Sequence, residues 1–331
     1  MRQADPTGAG SPSRPKVVVY ERVDHAAWSY NVERELLAAR GVDLVQPADE
    51  AELPAAIRDA DVVIATGRFL DSAAIGTLQR CVGLICYSIG MNQVDAEAAR
   101  AAGITVTNCP FCVEEVADQA MTLLLAIERQ LLPMVAEERA GDWSLTSPEF
   151  RSIRRLRGQT LVIIGAGRIG RQVARRARAF GFRTIANDPF VTPWEVGDPD
   201  LPLLPLADAL GQADAVVLCA SLNPTSRNLM NATTFAQLKP GAVLVNIARG
   251  GLIDERALAD AMRSGRVARA GLDVRATEPL DRANDPLAGL PNLVLTPHMA
   301  GGSIEANEDI HGIAASVAIR LLETAGRIVR V

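Results

Sequence analysis

Three polar side chains stand where apolar runs of this sequence end. Arg249 follows AVLVNIA and precedes Gly250-Gly251, Glu278 lies beyond the run ending GLDV, and His298 follows NLVLTP. An arginine supplies a fixed, forked cation for a carboxylate and a carbonyl oxygen. A histidine supplies a proton near neutral pH, its unperturbed pKa being ~6.5. A glutamate hydrogen-bonded to that ring favours the imidazolium and orients it. Together they suit reduction of a 2-keto acid, which needs a cation, an acid for the developing alkoxide and a hydride donor. Taken singly, each has a structural explanation: a strand-end salt bridge, a helix-capping Glu before Pro279, a loop histidine. Their shared placement singles them out, because open parallel sheets bind ligands beyond the carboxyl ends of their strands. The other two histidines, His25 and His311, lack this placement.

A hydride donor needs a binding site, and the glycine turn Gly165-Ala166-Gly167-Arg168-Ile169-Gly170 offers one. A bare GxGxxG carries little weight among 26 glycines. Here it follows an apolar strand, opens a helix and is followed by a second strand and Asp188, the layout of a dinucleotide-binding βαβ unit. Gly165 allows the tight turn, Gly167 lets a pyrophosphate approach the backbone, and Gly170 lets helix and strand pack closely. The helix N-terminus supplies N–H groups and a positive dipole end. Asp188 accepts from adenosine ribose hydroxyls and repels a 2′-phosphate, which favours NAD over NADP.

The elements that must hold these residues alternate along the chain. Val- and Ile-rich strands are expected at 16–21, 42–47, 62–66, 82–88 and 105–108, then at 161–166, 184–187, 215–220, 242–247, 270–274 and 293–296. Helical segments lie between them at 32–40, 53–59, 71–80, 94–102, 168–180, 206–212, 233–238 and 255–264. Near-continuous apolar strands separated by helices mean parallel sheets covered on both faces. Two such runs give two doubly wound α/β domains, and the glycine turn puts the nucleotide domain second. A long helical segment, 113–140, joins the runs, with a kink expected at Pro133. A last helix, 303–324, could pack on either domain.

The longer stretches GQTLVIIGAGRIGRQVARRARAFG, LKPGAVLVNIARGGLIDERALADAM, AGLDVRATEP and NLVLTPHMAG resemble the D-isomer-specific 2-hydroxyacid dehydrogenase family. SIGMNQVDAEAARAAGITVTN and VEEVADQAMTLLLA match it more weakly. VEEVADQAMTLLLAIER, with NDPF after the second nucleotide-domain strand, resembles the branch of C-terminal-binding proteins and their bacterial relatives. The resemblance implies an NAD-dependent enzyme in which Arg249 binds substrate, Glu278 pairs with the histidine and His298 donates the proton. It implies that Asp273 holds the nicotinamide carboxamide. Cys219, Ala220, Ser221 and Thr225, with Ile247, Ala248 and Arg249, line the nicotinamide side. The turn Ser88-Ile89-Gly90 offers amides to the substrate carboxylate, and Arg68, Phe69, Ile89 and the Met299–Ser303 turn shape the pocket.

The implied fold pairs a flavodoxin-like substrate domain, 16–108 with 299–331, and a Rossmann NAD-binding domain, 109–298, after a flexible tail, 1–15. The cleft closes on hinges near Asn108–Pro110 and His298–Ala300, and homodimers form through the NAD-binding domain and the helix after Val113. Glu278 argues against formate, whose dehydrogenases carry Gln there, and Ile89 against phosphite, whose dehydrogenases carry Lys. The added C-terminal domain of many phosphoglycerate dehydrogenases is not expected in a chain that stops at 331. Gly301 replaces the Trp of animal C-terminal-binding proteins, which implies a roomier or differently shaped pocket.

Composition narrows the alternatives. The 331 residues are 48% hydrophobic and 22% charged, ordinary for a soluble globular protein. A net charge of -5 gives no footprint for nucleic acid. No run approaches the ~20 apolar residues of a membrane span. Five cysteines and no apolar leader predict reduced thiols in the cytoplasm. Cys109-Pro-Phe-Cys112 stands as either an incidental part of the interdomain segment or a redox dithiol at a helix start; with no second pair it is not a zinc site, and no metal is expected. A second function class also stands, a protein that senses NAD(H) as a corepressor does, with little or no turnover.

Overall fold

The computed structural model describes residues 14–21, 29–91, 93–141, 143 and 153–330. The chain divides into two compact units, one of residues 1–111 with 304–331, the other of residues 112–303. Most of the expected tail and His25 lie outside the described residues. Pro15 does not behave as tail, since its carbonyl accepts from the Asp43 amide at 2.9 Å.

The first unit is built on five parallel strands: β1 (Lys16–Tyr20), β2 (Asp43–Val45), β3 (Val62–Ala65), β4 (Gly83–Cys86) and β5 (Thr105–Asn108). Their order, β2-β1-β3-β4-β5, is the flavodoxin-like one. The short helices α1 (Asn31–Ala38), α2 (Leu53–Arg58), α3 (Ser72–Gly76) and α4 (Ala96–Ala101) connect them. Asp71 and Asp95 accept from the amides three residues on, the N-cap bond that starts α3 and α4. Both sheet faces are apolar, as a parallel sheet requires. Val18, Val63 and Leu84 face α2 to α4, while Val17, Val19, Ile64 and Ile85 face the other way. That second face is covered by Ile310, Ala314, Ala318 and Leu322 of the terminal helix, α12 in chain order (Ile304–Thr324).

The second unit has six parallel strands: β6 (Thr160–Ile164), β7 (Arg183–Asn187), β8 (Ala215–Leu218), β9 (Ala242–Asn246), β10 (Val267–Leu272) and β11 (Leu293–Leu295). Their order is β11-β10-β9-β8-β6-β7, so the direction of winding reverses between β6 and β8. Beyond β7 a single parallel bridge, Ala186 to Leu203, stands where a further strand would pair. The helices are α5 (Val113–Glu128), α6 (Leu131–Arg139), α7 (Arg168–Ala179), α8 (Pro193–Val196), α9 (Leu206–Leu210), α10 (Ala232–Gln237) and α11 (Glu255–Arg263).

Two local expectations are corrected. The long helix does not kink at Pro133 but stops at Glu128 and restarts at Leu131, with Gln130 left-handed at φ 53°. Pro133 then sits in the first turn of α6, where its missing N–H is harmless, and its ring prevents helix from running through Arg129. The strand expected at 270–274 instead begins at Val267 and ends at Leu272. The division between units also lies later in the chain than 108/109 and 298/299. Cys109 stays with the first unit because its amide donates to the carbonyls of Cys86 and Ser88. Residues 299–303 stay with the second, held by hydrogen bonds to Asp273 and Glu115.

Candidate active site

The glycine turn leaves β6 as the strand's apolar run ends. Gly165 is at φ +101°, a conformation that L side chains rarely adopt, and its amide donates to the Asn187 carbonyl at 2.8 Å. A Cβ on Gly165 would lie 2.7 Å from the Ala220 amide nitrogen, and one on Gly170 would lie 2.0 Å from the Gly165 oxygen. These two glycines are therefore fixed by the protein's own packing. Gly167 differs: a Cβ there would meet nothing within 4 Å. It caps α7 in an extended conformation with no side chain on the helix N-terminus. An open backbone cradle at an uncapped helix start fits a dinucleotide pyrophosphate. Asp188 sits at its side, one carboxylate oxygen accepting from the Ala166 amide (2.9 Å) and the other from the Phe190 amide (3.0 Å). Each oxygen keeps acceptor capacity for a ribose hydroxyl.

Next to this turn, the Cys219 amide donates to the Ile164 carbonyl at 2.8 Å, which places Cys219, Ala220 and Ser221 at the carboxyl end of β8. The Ser221 carbonyl accepts from the Ser226 hydroxyl, and the Thr225 hydroxyl donates to Asn223 Oδ1 (both 2.7 Å). Thr225 thus spends its proton inside its own turn.

Arg249 follows β9 in extended conformation. Its turn is set by Asn246, fully buried, whose side chain donates to the Arg249 carbonyl and accepts from the Ala248 amide, each at 3.0 Å. One guanidinium nitrogen of Arg249 donates to the Ala248 carbonyl at 2.6 Å. Burial lowers the guanidinium's affinity for its proton, and the charge of Glu278 opposes that effect. Cys112 lies close enough to Arg249 to be felt electrostatically.

His298 Nδ1 lies 2.6 Å from Glu278 Oε2, and Glu278 Oε1 accepts from the Arg275 amide at 2.7 Å. The glutamate therefore has one oxygen on the ring and one on the backbone, which fixes its orientation. The ring is about half exposed and directs its Nε2 side away from the carboxylate. The His298 backbone is left-handed, φ 55°. Asp273, 1% exposed, holds that conformation. Its carbonyl accepts from the His298 amide at 2.8 Å, and its carboxylate accepts from Thr296 Oγ1 (2.5 Å), the Met299 amide (3.1 Å) and the Ala300 amide (3.0 Å).

Each expected site residue can now be placed. The second unit brings together the glycine turn, Asp188, Cys219–Ser221, Ile247–Arg249, Glu278 and His298 at the carboxyl ends of its strands. The Asp273 carboxylate binds the turn that carries His298 and keeps acceptor capacity beyond those bonds. Gly301 does not open toward empty space, because a Cβ there would lie 2.7 Å from Cys112 Sγ. Ser88, Ile89 and Gly90 belong to the first unit, where the Ser88 hydroxyl donates to the Gly90 carbonyl (2.7 Å) and the Asn108 side-chain Nδ2 to the Ile89 carbonyl (2.5 Å). Arg68, also in the first unit, stacks over Tyr20 and pairs with Glu50. Asn246 was not singled out from the sequence; an asparagine as the last residue of an otherwise apolar strand was the available signal. All five cysteines are free, and burial pushes the thiol of Cys109 up to about 12 and that of Cys112 up to about 11. Among the described residues no cluster of His, Cys, Asp or Glu could hold a metal ion, and no helix is long and apolar enough to cross a membrane.

Comparison with known proteins bears on the family. Residues 121–300 match the family model described as D-isomer specific 2-hydroxyacid dehydrogenase, NAD binding domain. The chain is 37% identical over 279 residues to a D-3-phosphoglycerate dehydrogenase of Mycobacterium leprae, covering 84% of this chain and 52% of that protein. It thus spans about half the length of the curated relatives it matches. Among solved structures it is similar to the TT0316 protein from Thermus thermophilus, with TM-score 0.77, 34% identity and coverage of 93% of this chain and 97% of that one. It is also similar to a glyoxylate reductase from Paecilomyes thermophila, with TM-score 0.82, 29% identity and coverage of 96% and 98%. A glycine cradle that fits a dinucleotide, a carboxylate-paired histidine and these matches lead to one conclusion: the chain belongs to the D-isomer specific 2-hydroxyacid dehydrogenase family and contains its NAD-binding domain.

Proposed function

We propose that the protein interconverts a 2-keto acid and a D-2-hydroxy acid by hydride transfer with NAD. The observation that carries this reading is the 2.6 Å contact of His298 Nδ1 with Glu278, in the same unit as the open glycine cradle. With Nδ1 engaged, Nε2 is the nitrogen that hands a proton to the developing alkoxide or takes it back in oxidation. Glu278 holds the ring by its Nδ1 side and prevents its rotation. Arg249 holds the substrate carboxylate and polarises the carbonyl, as a half-buried cation does where negative charge develops. The bound nicotinamide supplies the hydride. Asp188 favours NAD over NADP, because its carboxylate would face a 2′-phosphate. The amides of Ser88, Ile89 and Gly90 are assigned to the substrate carboxylate as well, and the first unit to substrate binding.

The resemblance to the branch of C-terminal-binding proteins rests on sequence motifs alone. The protein is further proposed to work in the cytoplasm, which five free thiols support, and as a homodimer through its second unit. The direct test is NADH consumption, followed at 340 nm, with glyoxylate, hydroxypyruvate, pyruvate and branched keto acids. Turnover with at least one supports the reading. NADH binding without turnover on any of them replaces it with the sensor reading.

A further inference from the structure

Arg275 takes no part in the chemistry proposed above, yet it is a charged side chain only 7% exposed. A buried guanidinium is costly unless paired, and this one is paired twice. It meets Glu255 through Nε (2.9 Å) and Nη2 (3.1 Å), and Asp285 through Nη2 (2.6 Å) and Nη1 (3.4 Å). Its partners are tied in turn. Glu255 also accepts from the Ala276 amide, and Asp285 from the Leu287 amide, both at 2.9 Å. Arg275 holds the Asp285 carboxyl below the usual carboxylate range. The cluster thus pins three stretches: the start of α11, residues 275–276, and the turn at 285–287.

The backbone of the same residue touches both arms of the site. Its amide donates to Glu278 Oε1, whose other oxygen meets His298. On the opposite side stands Gly250, the neighbour of Arg249, approaching so closely that a Cβ would lie 1.9 Å from the Arg275 carbonyl carbon. We propose that the buried Arg275–Glu255–Asp285 cluster is a positioning clamp, which fixes the Glu278–His298 pair relative to the turn that carries Arg249. This rests on the reading of those three residues as the substrate-binding and proton-transferring set. The competing account is a purely stabilising role. Buried ion clusters, however, are weak contributors to stability and are often replaceable by neutral side chains. Two charged groups act on the pair or its turn: Arg249, which feels Glu278 electrostatically, and Asp273, which holds the His298 turn.

The test compares Arg275→Met, Arg275→Lys and the triple variant Arg275→Met/Glu255→Gln/Asp285→Asn, which leaves no buried charge unpaired if the single change fails to fold. Two readouts are taken. The first is kcat and KM for the keto acid found above, and KM for NADH. The clamp predicts that kcat/KM for the keto acid falls about 10- to 100-fold, as small misplacements of reacting groups do. KM for NADH stays unchanged, and Arg275→Lys recovers part of the loss. The second is the imidazole tautomer of His298 by proton–nitrogen NMR at a pH where the ring is neutral, assigned by its loss in His298→Gln. Wild type keeps Nδ1 protonated against Glu278, whereas Arg275→Met and the triple variant show mixed tautomers. A folded triple variant with wild-type kinetics and a wild-type tautomer overturns the clamp. If the wild type turns over no keto acid, the functional reading fails, and the tautomer readout still decides the clamp.

Discussion

His298 stands in a backbone conformation that costs a non-glycine residue about 1–3 kcal/mol unless its surroundings impose it. Asp273 imposes it, through one backbone and three carboxylate hydrogen bonds. Replacing His298 with Gln should therefore leave the turn in place while removing the proton donor. We expect kcat/KM to drop by about 10²- to 10⁴-fold, the range for a positioned general acid, with NADH affinity unchanged in a fluorescence titration. The thiols give a second expectation. Cys109 and Cys112 are buried, with thiol pKa values pushed up to about 12 and about 11. Both stay neutral at pH 8, and the thiolate is the reactive form. Iodoacetamide should leave them unlabelled in the native protein and label them after unfolding, as mass spectrometry would read. Rapid native labelling would revive the dithiol switch. The placement of Arg249, Glu278 and His298 was legible in the sequence because each follows an apolar run, and a strand has only one carboxyl end. Asn246 and the contacts of Asp273 were not, because a side chain that bonds the backbone of its own loop leaves no spacing pattern.

At the level of elements, the alternation of strands and helices was readable because buried parallel strands carry uninterrupted apolar runs. Boundaries were less so. The helix expected over 71–80 is only Ser72–Gly76, closed by Thr77, whose hydroxyl donates back to the Ala74 carbonyl. The left-handed residue before α6 was also illegible, since glutamine is not a turn former. That break has a consequence for association. α6 has no buried residue, and Leu131 and Leu132 at its start are each 49% exposed. Adjacent leucines left half in water on a helix with no buried residue of its own fit the homodimer surface proposed above. Leu131→Glu with Leu132→Glu should convert the proposed homodimer to a monomer in sedimentation, with the fold retained by circular dichroism. A wild-type monomer, or a double variant that stays dimeric, would remove α6 from the interface.

For the whole molecule, the order of elements did not reveal which core each joins. The apolar face of α12 would suit either sheet, and only the family resemblance pointed to the first. In the structure Ile310, Ala314, Ala318 and Leu322 belong to the first core. The division into two compact units makes a further expectation. NAD at 100 times its Kd should stabilise the unit that binds it by about 2.7 kcal/mol. Calorimetry should then show the melting of residues 112–303 raised by NAD, while proteolytic fragments report the first unit opening at its unliganded temperature. An equal shift of both would mean that the units melt as one.

The return of α12 to the first sheet also sets an order of assembly on the ribosome. Residues 112–303 form an unbroken stretch and can close their core as soon as they emerge. The sheet face of Val17, Val19, Ile64 and Ile85 must wait for the residues of α12. At about 5–20 residues per second that wait lasts roughly ten to forty seconds. The half of the protein born first is thus finished last. Its uncovered strands, not those of the nucleotide-binding half, are where nascent chains would recruit chaperones or aggregate.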